Sequence, residues 1–426
     1  MVFRRWDCGG AVMRVYLHTF GCKANQYDTE TVRQALDAVG AEVVSDPRQA
    51  DAAVVNSCTV TGTAEGKMRG LVRRLARVSP GLRTVVMGCA AARDDGTIAS
   101  LPNVASVVAG ADTPRVLAAL GLAAPGTGNG LRTFGRGSRA WLKIQDGCDE
   151  HCTFCATTLA RGANRSRPAS DIVAEALRLA AHHEEIVLTG VHIGTYGRDL
   201  GDESSLGSLV EALVRRVPRV RFRLSSVEAT EVDGRIEDLM AGAPDRLAPH
   251  LHAPLQSGSD RLLKRMGRHW YTAATYATRI ERLARRLPRF ALGADVIVGF
   301  PGETTADHEA TLSLVRSLPF TYLHVFPYSP RPGAPATRLG TPISPREAAR
   351  RSAQLRALAD DRGRTYAASR VGTMADIVLL RRSQARYEGL TEDYLTVYVP
   401  ADQGPVAPRL EARLAAGGSG LVATAA

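Results

Sequence analysis

The sequence predicts an α/β chain in three parts: an N-terminal parallel sheet layered with helices, a partial (βα)6 barrel, and a small all-β module at the C-terminal end. Three observations carry this. From Arg14 to about Leu120, short apolar runs alternate with helical stretches, and strands separated by helices pair in parallel. A second alternation starts at Trp141 and holds six strand-like runs, too few for a full eight-unit barrel. From about Thr373 the helical pattern stops, and β-branched residues and glycine turns replace it.

In chain order, the apolar runs 14–20, 52–56, 83–87 and 104–108 predict four strands, with helices over 26–39 and the basic stretch 64–78. Residues 121–137 hold six glycines and a proline with little that could pack, and read as a linker. Further strands are expected at 141–145, 185–189, 221–225, 250–252, 294–298 and 322–326, separated by helices such as 170–181, 206–216 and 272–286. A long Arg-rich helix over 344–368 leads out of this part. Domains are therefore expected at 13–120, 139–368 and 369–426, with a linker at 121–138.

With 426 residues, 45% of them apolar and 23% charged, the chain can bury several cores. That excludes a disordered tail, a collagen-like repeat and a small disulfide scaffold. No apolar run reaches the roughly 18 residues of a membrane span. Arg4 and Arg5 have no apolar stretch behind them, so no secretory signal is expected and the expected compartment is cytoplasmic. A net charge of +11 suits a polyanionic partner such as nucleic acid. Lysine occurs only at Lys23, Lys67, Lys143 and Lys264, so a compositional preference for arginine fits the same charge, and both readings stay open. The seven cysteines are Cys8, Cys22, Cys58, Cys89, Cys148, Cys152 and Cys155. An odd count in such a compartment points to metal ligation or thiol chemistry rather than disulfides.

Cys148, Cys152 and Cys155 form a C-x3-C-x2-C cluster in a loop just after the first barrel strand. A loop can turn three sulfurs inward onto one small cluster. A structural zinc site wants four protein ligands, and although His151 lies inside the motif, no fourth ligand has zinc-finger spacing. An iron–sulfur cluster on three cysteines leaves one iron open, and the C-terminal mouth of a barrel is where catalysis sits. Cys22, Cys58 and Cys89 are spaced 36 and 31 residues apart, each within two residues of a predicted strand end. Loops after parallel strands gather at one edge, so these three could meet as a second cluster site. Three unrelated buried thiols are the alternative.

The three-cysteine motif, with Phe154 before its last cysteine, resembles the signature of radical S-adenosylmethionine (SAM) enzymes. That resemblance implies SAM chelated at the open iron, its reductive cleavage to a 5′-deoxyadenosyl radical, and Phe154 beside the adenine. Segments 18–30, 56–60, 87–90, 144–148, 188–194, 251–260 and 295–303 resemble the methylthiotransferases of that superfamily, from about Met13 onward. Gly389-Leu-Thr-Glu-Asp-Tyr394 resembles the centre of the TRAM RNA-binding module that ends these enzymes. The implied cofactors are SAM and two [4Fe–4S] clusters, one on Cys148, Cys152 and Cys155 and one on Cys22, Cys58 and Cys89. Thr189, Gly190, Ser226 and Gly299 join Phe154 as implied SAM-pocket residues. The implied partners are tRNA and an electron donor of the flavodoxin or ferredoxin type, with the sulfur source left open. Cys8 precedes Met13, an alternative start, and receives no role.

Within the family, Gly21-Cys-Lys-Ala-Asn25, Gln145-Asp-Gly-Cys148 and Arg223-Leu-Ser-Ser-Val-Glu228 are closest to the MtaB-like branch. Its members act on threonylcarbamoyl-adenosine next to the anticodon of tRNA. The rival substrates are isopentenyl-adenosine in tRNA and an Asp of a ribosomal protein, and a different class would be a non-catalytic iron–sulfur RNA-binding protein. After Cys155 the chain reads Ala-Thr-Thr-Leu-Ala-Arg-Gly, a departure from the relatives' usual Ile-Ile-Pro-Tyr-Ala-Arg-Gly. Arg161, Arg165 and Arg167 are candidates to meet the substrate's threonine carboxylate, with phosphate contact or a solvated loop as the alternatives. Arg381, Arg382 and Tyr394 are expected to meet RNA. His250 and His252 are expected to be pocket wall or core, and His182 and His183 to be solvated. Deleting the tail from about Arg370 is expected to weaken tRNA binding and spare SAM cleavage.

Overall fold

The computed structural model describes residues 12–126, 130–135, 137–201, 204–383, 385–401, 407–418 and 420–424. Cys8 lies outside the described residues. In the N-terminal part five parallel strands run in the order β2-β1-β3-β4-β5: β1 (Arg14–Thr19), β2 (Glu42–Val44), β3 (Ala52–Ser57), β4 (Arg83–Gly88) and β5 (Val104–Ala109). Helices α1 (Lys23–Ala38) and α2 (Gly62–Val78) lie between them, and α3 (Thr113–Ala119) follows β5. The alternation along β3 shows how both faces are covered. Ala52 and Val54 pack with Leu36 of α1 and Val116 of α3, whereas Ala53 and Val55 pack with Met68 and Val72 of α2. The edge strand β2, three residues long, is too short to show a period and was missed by sequence reading.

The second part begins with β6 (Arg139–Lys143) and the two-residue pair β7 (Gln145–Asp146) and β8 (Arg165–Ser166). It continues with β9 (Glu185–Thr189), β10 (Arg221–Leu224), β11 (His250–His252), β12 (Ala291–Val298) and β13 (Phe320–Pro327). Strands β6-β9-β10 and β11-β12-β13 form two parallel sheets, joined by bridges from Phe222 to Leu247 and from Ser226 to His252. Six strands thus curve in sequence order, as the alternation predicts. The N-terminal part closes the gap between β6 and β13. Trp141 donates to Gln26 at 2.5 Å and Tyr27 to Glu175 at 2.9 Å on one side, while Gly62 N–H meets Ser329 at 3.1 Å on the other.

Two expectations fail here for one reason: a glycine-rich segment can still carry an anchor. Leu131 of the presumed linker is fully buried in the barrel's apolar core, and its N–H donates to Glu175 at 3.0 Å. His183, expected in solvent, is buried. Its ring accepts from Phe134 N–H at 3.0 Å and donates to the Gly137 carbonyl at 2.8 Å.

The helix Pro345–Ser369 leads to five strands, β14 (Met374–Arg382), β15 (Arg386–Thr391), β16 (Thr396–Pro400), β17 (Arg409–Gly417) and β18 (Gly420–Thr424), which close into a small barrel. This tail is docked onto the larger barrel through buried charge. Arg221 and Arg223 are buried, and they reach the carbonyls of Leu390 at 3.3 Å, Thr391 at 3.0 Å and Glu392 at 3.0 Å. Both also pair with the fully buried Glu185, as does Arg139. Burial alone would raise the Glu185 carboxyl, but Arg223, Arg139 and Arg221 hold it well below the usual range. Glu185→Gln keeps the shape but leaves Arg139 and Arg223 without a carboxylate partner, while Arg221 keeps Asp376. It is expected to destabilise the fold by about 3–5 kcal/mol, read as a lower urea midpoint at unchanged slope. A loss under about 1 kcal/mol, the range of an exposed pair, would show the cluster to be solvated. Among the described residues, no helix is long and apolar enough to cross a membrane.

Candidate active site

The first three-cysteine loop follows β6. Gln145 pins it: its Oε1 accepts from the N–H groups of Val191 at 3.0 Å and His192 at 2.9 Å. Its Nε2 donates to the Gly147 carbonyl at 2.6 Å and Asn164 at 2.7 Å. Cys148, Cys152 and Cys155 then line one 180 Å³ cavity with Phe154, His192 and Ser226. Each sulfur meets a nitrogen that would stabilise a thiolate. Glu150 N–H lies 3.4 Å from Cys148 Sγ, Thr157 N–H 3.3 Å from Cys155 Sγ, and Arg268 Nη1 3.6 Å from Cys152 Sγ. Arg268 is buried, paired with Glu228 and 4.7 Å above the Trp270 ring. Burial nonetheless pushes the Cys152 thiol up to about 12 against the pull of Arg268. Three soft donors, with no fourth cysteine beside them among the described residues, suit an iron–sulfur cluster with one open iron.

The second site forms at the carboxyl edge of the N-terminal sheet, where neighbouring β1, β3 and β4 end just before Cys22, Cys58 and Cys89. Asn25 stands among them, with its Oδ1 3.7 Å from Cys22 Sγ and 3.8 Å from Cys89 Sγ. Its Nδ2 donates to the Phe20 and Ser57 carbonyls, both at 2.9 Å. Two turns require glycine. Gly21 has φ +107° and a Cβ there would lie 3.1 Å from Cys58 Sγ, while Gly88 has φ +95° and a Cβ would lie 2.2 Å from Asn56 Oδ1. Burial raises the thiols of Cys58 and Cys89, the latter to about 11. The three distant cysteines therefore converge, and they are not unrelated core thiols.

Arg161 joins the two sites. It ends helix α4 (Thr157–Arg161), which starts two residues after Cys155. It donates through Nε to Cys89 Sγ at 3.2 Å and pairs with Asp28 at 2.8 Å and Asp146 at 2.9 Å. Its Nη2 reaches Asn25 Oδ1 at 2.7 Å. This corrects its reading as a substrate-carboxylate ligand: its donors are committed between the cysteine sites. Arg167 is corrected likewise, since Glu175 at 2.6 Å, the Lys143 carbonyl at 2.6 Å and Tyr27 at 3.2 Å occupy it. Arg165 is exposed and donates to the carbonyls of Ala163 and Arg161.

Of the residues expected around SAM, Phe154 and Ser226 line the cavity and three others do not. The Thr189 carbonyl accepts from Ile144 N–H at 2.9 Å within the barrel wall. Gly190 is small because Gln145 passes beside it, where a Cβ would lie 2.7 Å from the Gln145 carbonyl. Gly299 faces Ile343 and Ala348, each 3.3 Å from where a Cβ would sit. Tyr394, expected on RNA, instead stacks on His250 at 4.2 Å and lies 5.5 Å from Tyr322, so it plugs the floor of the barrel. Arg381 and Arg382 stay on the surface of the tail, Arg381 paired with Glu388 and Arg382 over Tyr387. Sequence reading missed Asn25, His192, Glu228 and Arg268. Asn25 stood inside a quoted motif, whereas Arg268 gave no local signal.

His250 and His252 line the lumen as expected. His252 Nε2 lies 3.0 Å and His324 Nδ1 3.3 Å from Asp295 Oδ1, and Tyr322 meets both His250 at 2.8 Å and His252 at 3.0 Å. Burial would raise the Asp295 carboxyl, but these imidazoles hold it far below the usual range.

Comparison with known proteins agrees with this geometry. Residues 14–110 match the model of uncharacterized protein family UPF0004, and residues 142–315 match the radical SAM superfamily. The threonylcarbamoyladenosine tRNA methylthiotransferase MtaB of Bacillus subtilis is 36% identical over 406 residues, covering 90% of this chain and 89% of that protein. The protein of the same name from Thermotoga maritima is 36% identical over 347 residues, covering 78% of each chain. The tRNA-2-methylthio-N(6)-dimethylallyladenosine synthase of Methylobacillus flagellatus is 33% identical, covering 91% of this chain and 93% of that one. In fold, the chain is similar to the radical SAM methyltransferase TsrM of Kitasatospora setae. The TM-score is 0.57 at 17% identity, over 76% of this chain and 74% of that one. The chain belongs to the radical SAM methylthiotransferase family, in its MtaB-like branch.

Proposed function

We propose that this protein is a tRNA methylthiotransferase that places a methylthio group on carbon 2 of N6-threonylcarbamoyladenosine, next to the anticodon. The observation that carries the reading is the pairing of two three-cysteine sites through Arg161 in a chain whose near-full-length relatives are named for this reaction. In this reading Cys148, Cys152 and Cys155 hold one [4Fe–4S] cluster with SAM beside Phe154 and Ser226. Cys22, Cys58 and Cys89 hold the other. When bound, these groups supply the radical that activates an otherwise inert aromatic C–H bond, and the sulfur that replaces its hydrogen.

The chain's own residues position and balance that chemistry. Gln145 fixes the SAM-side loop against the loop after β9. Arg268 offsets negative charge at Cys152, and Arg161 does so at Cys89. Asn25 braces the sulfur-side cysteines. Tyr394 closes the barrel floor, so substrate enters from the cysteine side. Arg381 and Arg382 meet tRNA phosphate, and binding falls with salt. A flavodoxin- or ferredoxin-type donor supplies electrons, and the reaction runs in the cytoplasm.

The test uses tRNA from cells able or unable to make threonylcarbamoyladenosine, incubated with iron-loaded enzyme, SAM and dithionite. Nucleoside mass spectrometry is expected to find the methylthio product only on the modified tRNA. Equal product on both, or product only on isopentenylated tRNA, would overturn the substrate assignment.

A further inference from the structure

The parallel register stacks the barrel lumen into layers. Gly293 of β12 pairs with His252 of β11 and with Tyr322 of β13, and Asp295 pairs with His324 one step nearer the mouth. Neighbouring residues on a strand face opposite ways. Ala294, Val296, Leu323 and Val325 pack into the outer apolar core, so Asp295 and His324 face the lumen. In the lower layer a Cβ on Gly293 would run into the Tyr322 ring, which crosses the lumen there above Tyr394. The upper layer adjoins the three-cysteine cavity, because Ser226 and Gln256 line that cavity and bridge to His252 and Val296.

A chain of hydrogen bonds uses the donors of these layers and leaves an acceptor at its upper end. His252 Nε2 lies 3.0 Å and His324 Nδ1 3.3 Å from one oxygen, Asp295 Oδ1. A carboxylate only accepts, so both imidazoles donate to it. His252 Nδ1 is then left to accept from the Tyr322 hydroxyl at 3.0 Å, which in turn accepts from His250 Nε2 at 2.8 Å. His324 sits at the open end, its side chain 56% exposed. Its neutral ring, donating at Nδ1, keeps a lone pair at Nε2, and no hydrogen bond reaches that atom among the described residues. The ring is held against those of His252 at 5.0 Å and Phe326 at 6.3 Å. A ligand that covers such an acceptor without bringing a donor leaves it unpaired, at a cost in binding.

We propose that His324, oriented by Asp295, is a specificity-determining residue that accepts a hydrogen bond from the threonine hydroxyl of the nucleoside's side group. The proposal rests on the function proposed above and names which feature of that substrate is recognised. With carbon 2 held toward the cysteine sites, the group on N6 is the part of the base free to reach this layer. Its carboxylate and carbonyls only accept, and they would meet the Asp295 charge and a ring lone pair. Its ureido N–H groups lie close to the base, which leaves the hydroxyl as the donor at the far end. A hydrocarbon side group brings no donor at all, so the same contact rejects it.

The experiment compares two anticodon stem-loop RNAs, one bearing N6-threonylcarbamoyladenosine and one bearing N6-valylcarbamoyladenosine. The second replaces only the hydroxyl by a methyl group and keeps the carboxylate. Binding to iron-loaded protein is followed by fluorescence anisotropy, and kcat/KM by product mass with SAM and dithionite present. The unaltered protein is expected to favour the threonyl RNA about 10- to 100-fold. His324→Phe, checked for full iron content, is expected to level the two by weakening the threonyl RNA alone. His324→Gln, which still offers an amide oxygen, is expected to restore part of the preference. Equal use of both RNAs by the unaltered protein overturns the proposal and leaves the reaction standing. A preference that survives in His324→Phe overturns it too, and equal losses on both RNAs do so by reducing His324 to a structural role. Should His324→Phe lose iron, Asp295→Asn takes its place, with the same levelling expected and its absence overturning the proposal. Failure to methylthiolate either RNA overturns the function and the proposal together.

Discussion

Changing Cys148, Cys152 and Cys155 together to Ala is expected to halve the iron of the anoxic protein, from about eight to about four atoms per chain. The same change is expected to abolish release of 5′-deoxyadenosine from SAM. The remaining half should persist because the sulfur-side cysteines hang on a different scaffold. Cys22, Cys58 and Cys89 follow strands β1, β3 and β4, whose cores are separate from that of the barrel. Changing those three instead should remove the other half and leave SAM cleavage measurable. Full iron in either triple variant would show its site to be misassigned. Zinc near one atom per chain with no iron would overturn the cluster chemistry itself.

A chain ending at Ser369 is expected to lose SAM cleavage as well as tRNA binding. Sequence reading treats the tail as a separable module, but the structure ties it into the barrel. Without it, Arg221 loses Asp376 and the Leu390 carbonyl, and Arg223 loses the carbonyls of Thr391 and Glu392. Uncompensated buried charge costs about 3–5 kcal/mol per broken pair, against a total stability of about 5–15 kcal/mol for a domain. The floor under His250 and Tyr322 would also open to water once Tyr394 is gone. Iron content, circular dichroism and 5′-deoxyadenosine release on the truncated protein check this, and undiminished cleavage would show the docking contacts to be dispensable. A surface change, Arg381→Ala with Arg382→Ala, separates the tail's two roles. It should weaken tRNA binding and flatten its salt dependence by about one phosphate contact per arginine, with SAM cleavage unchanged.

Local pattern sufficed wherever the physics is local. The β-branched runs at Ala52–Ser57 and Arg83–Gly88 are buried on both faces and betray themselves by composition. The C-x3-C-x2-C spacing brings three sulfurs together within one loop, and the parallel topology predicts the meeting of Cys22, Cys58 and Cys89, because loops after neighbouring strands must share an edge. Partners distant in sequence left no such trace. Arg161 and Arg167 look alike in a basic loop, yet one turns to Cys89 and the other to Glu175. Gly190 and Gly299 look like ligand glycines, but Gln145 and Ile343 come to lie beside them.

The sequence by itself determined the main alternation of strands and helices, the three-part architecture and the grouping of six thiols, since each follows from short-range periodicity or from the geometry of a parallel sheet. Only the tertiary structure decided that Arg161 bridges the two cysteine sites and that Tyr394 closes the barrel floor. A charged or aromatic side chain reaches far enough to choose among several neighbours, and that choice is made by how the three parts pack against one another.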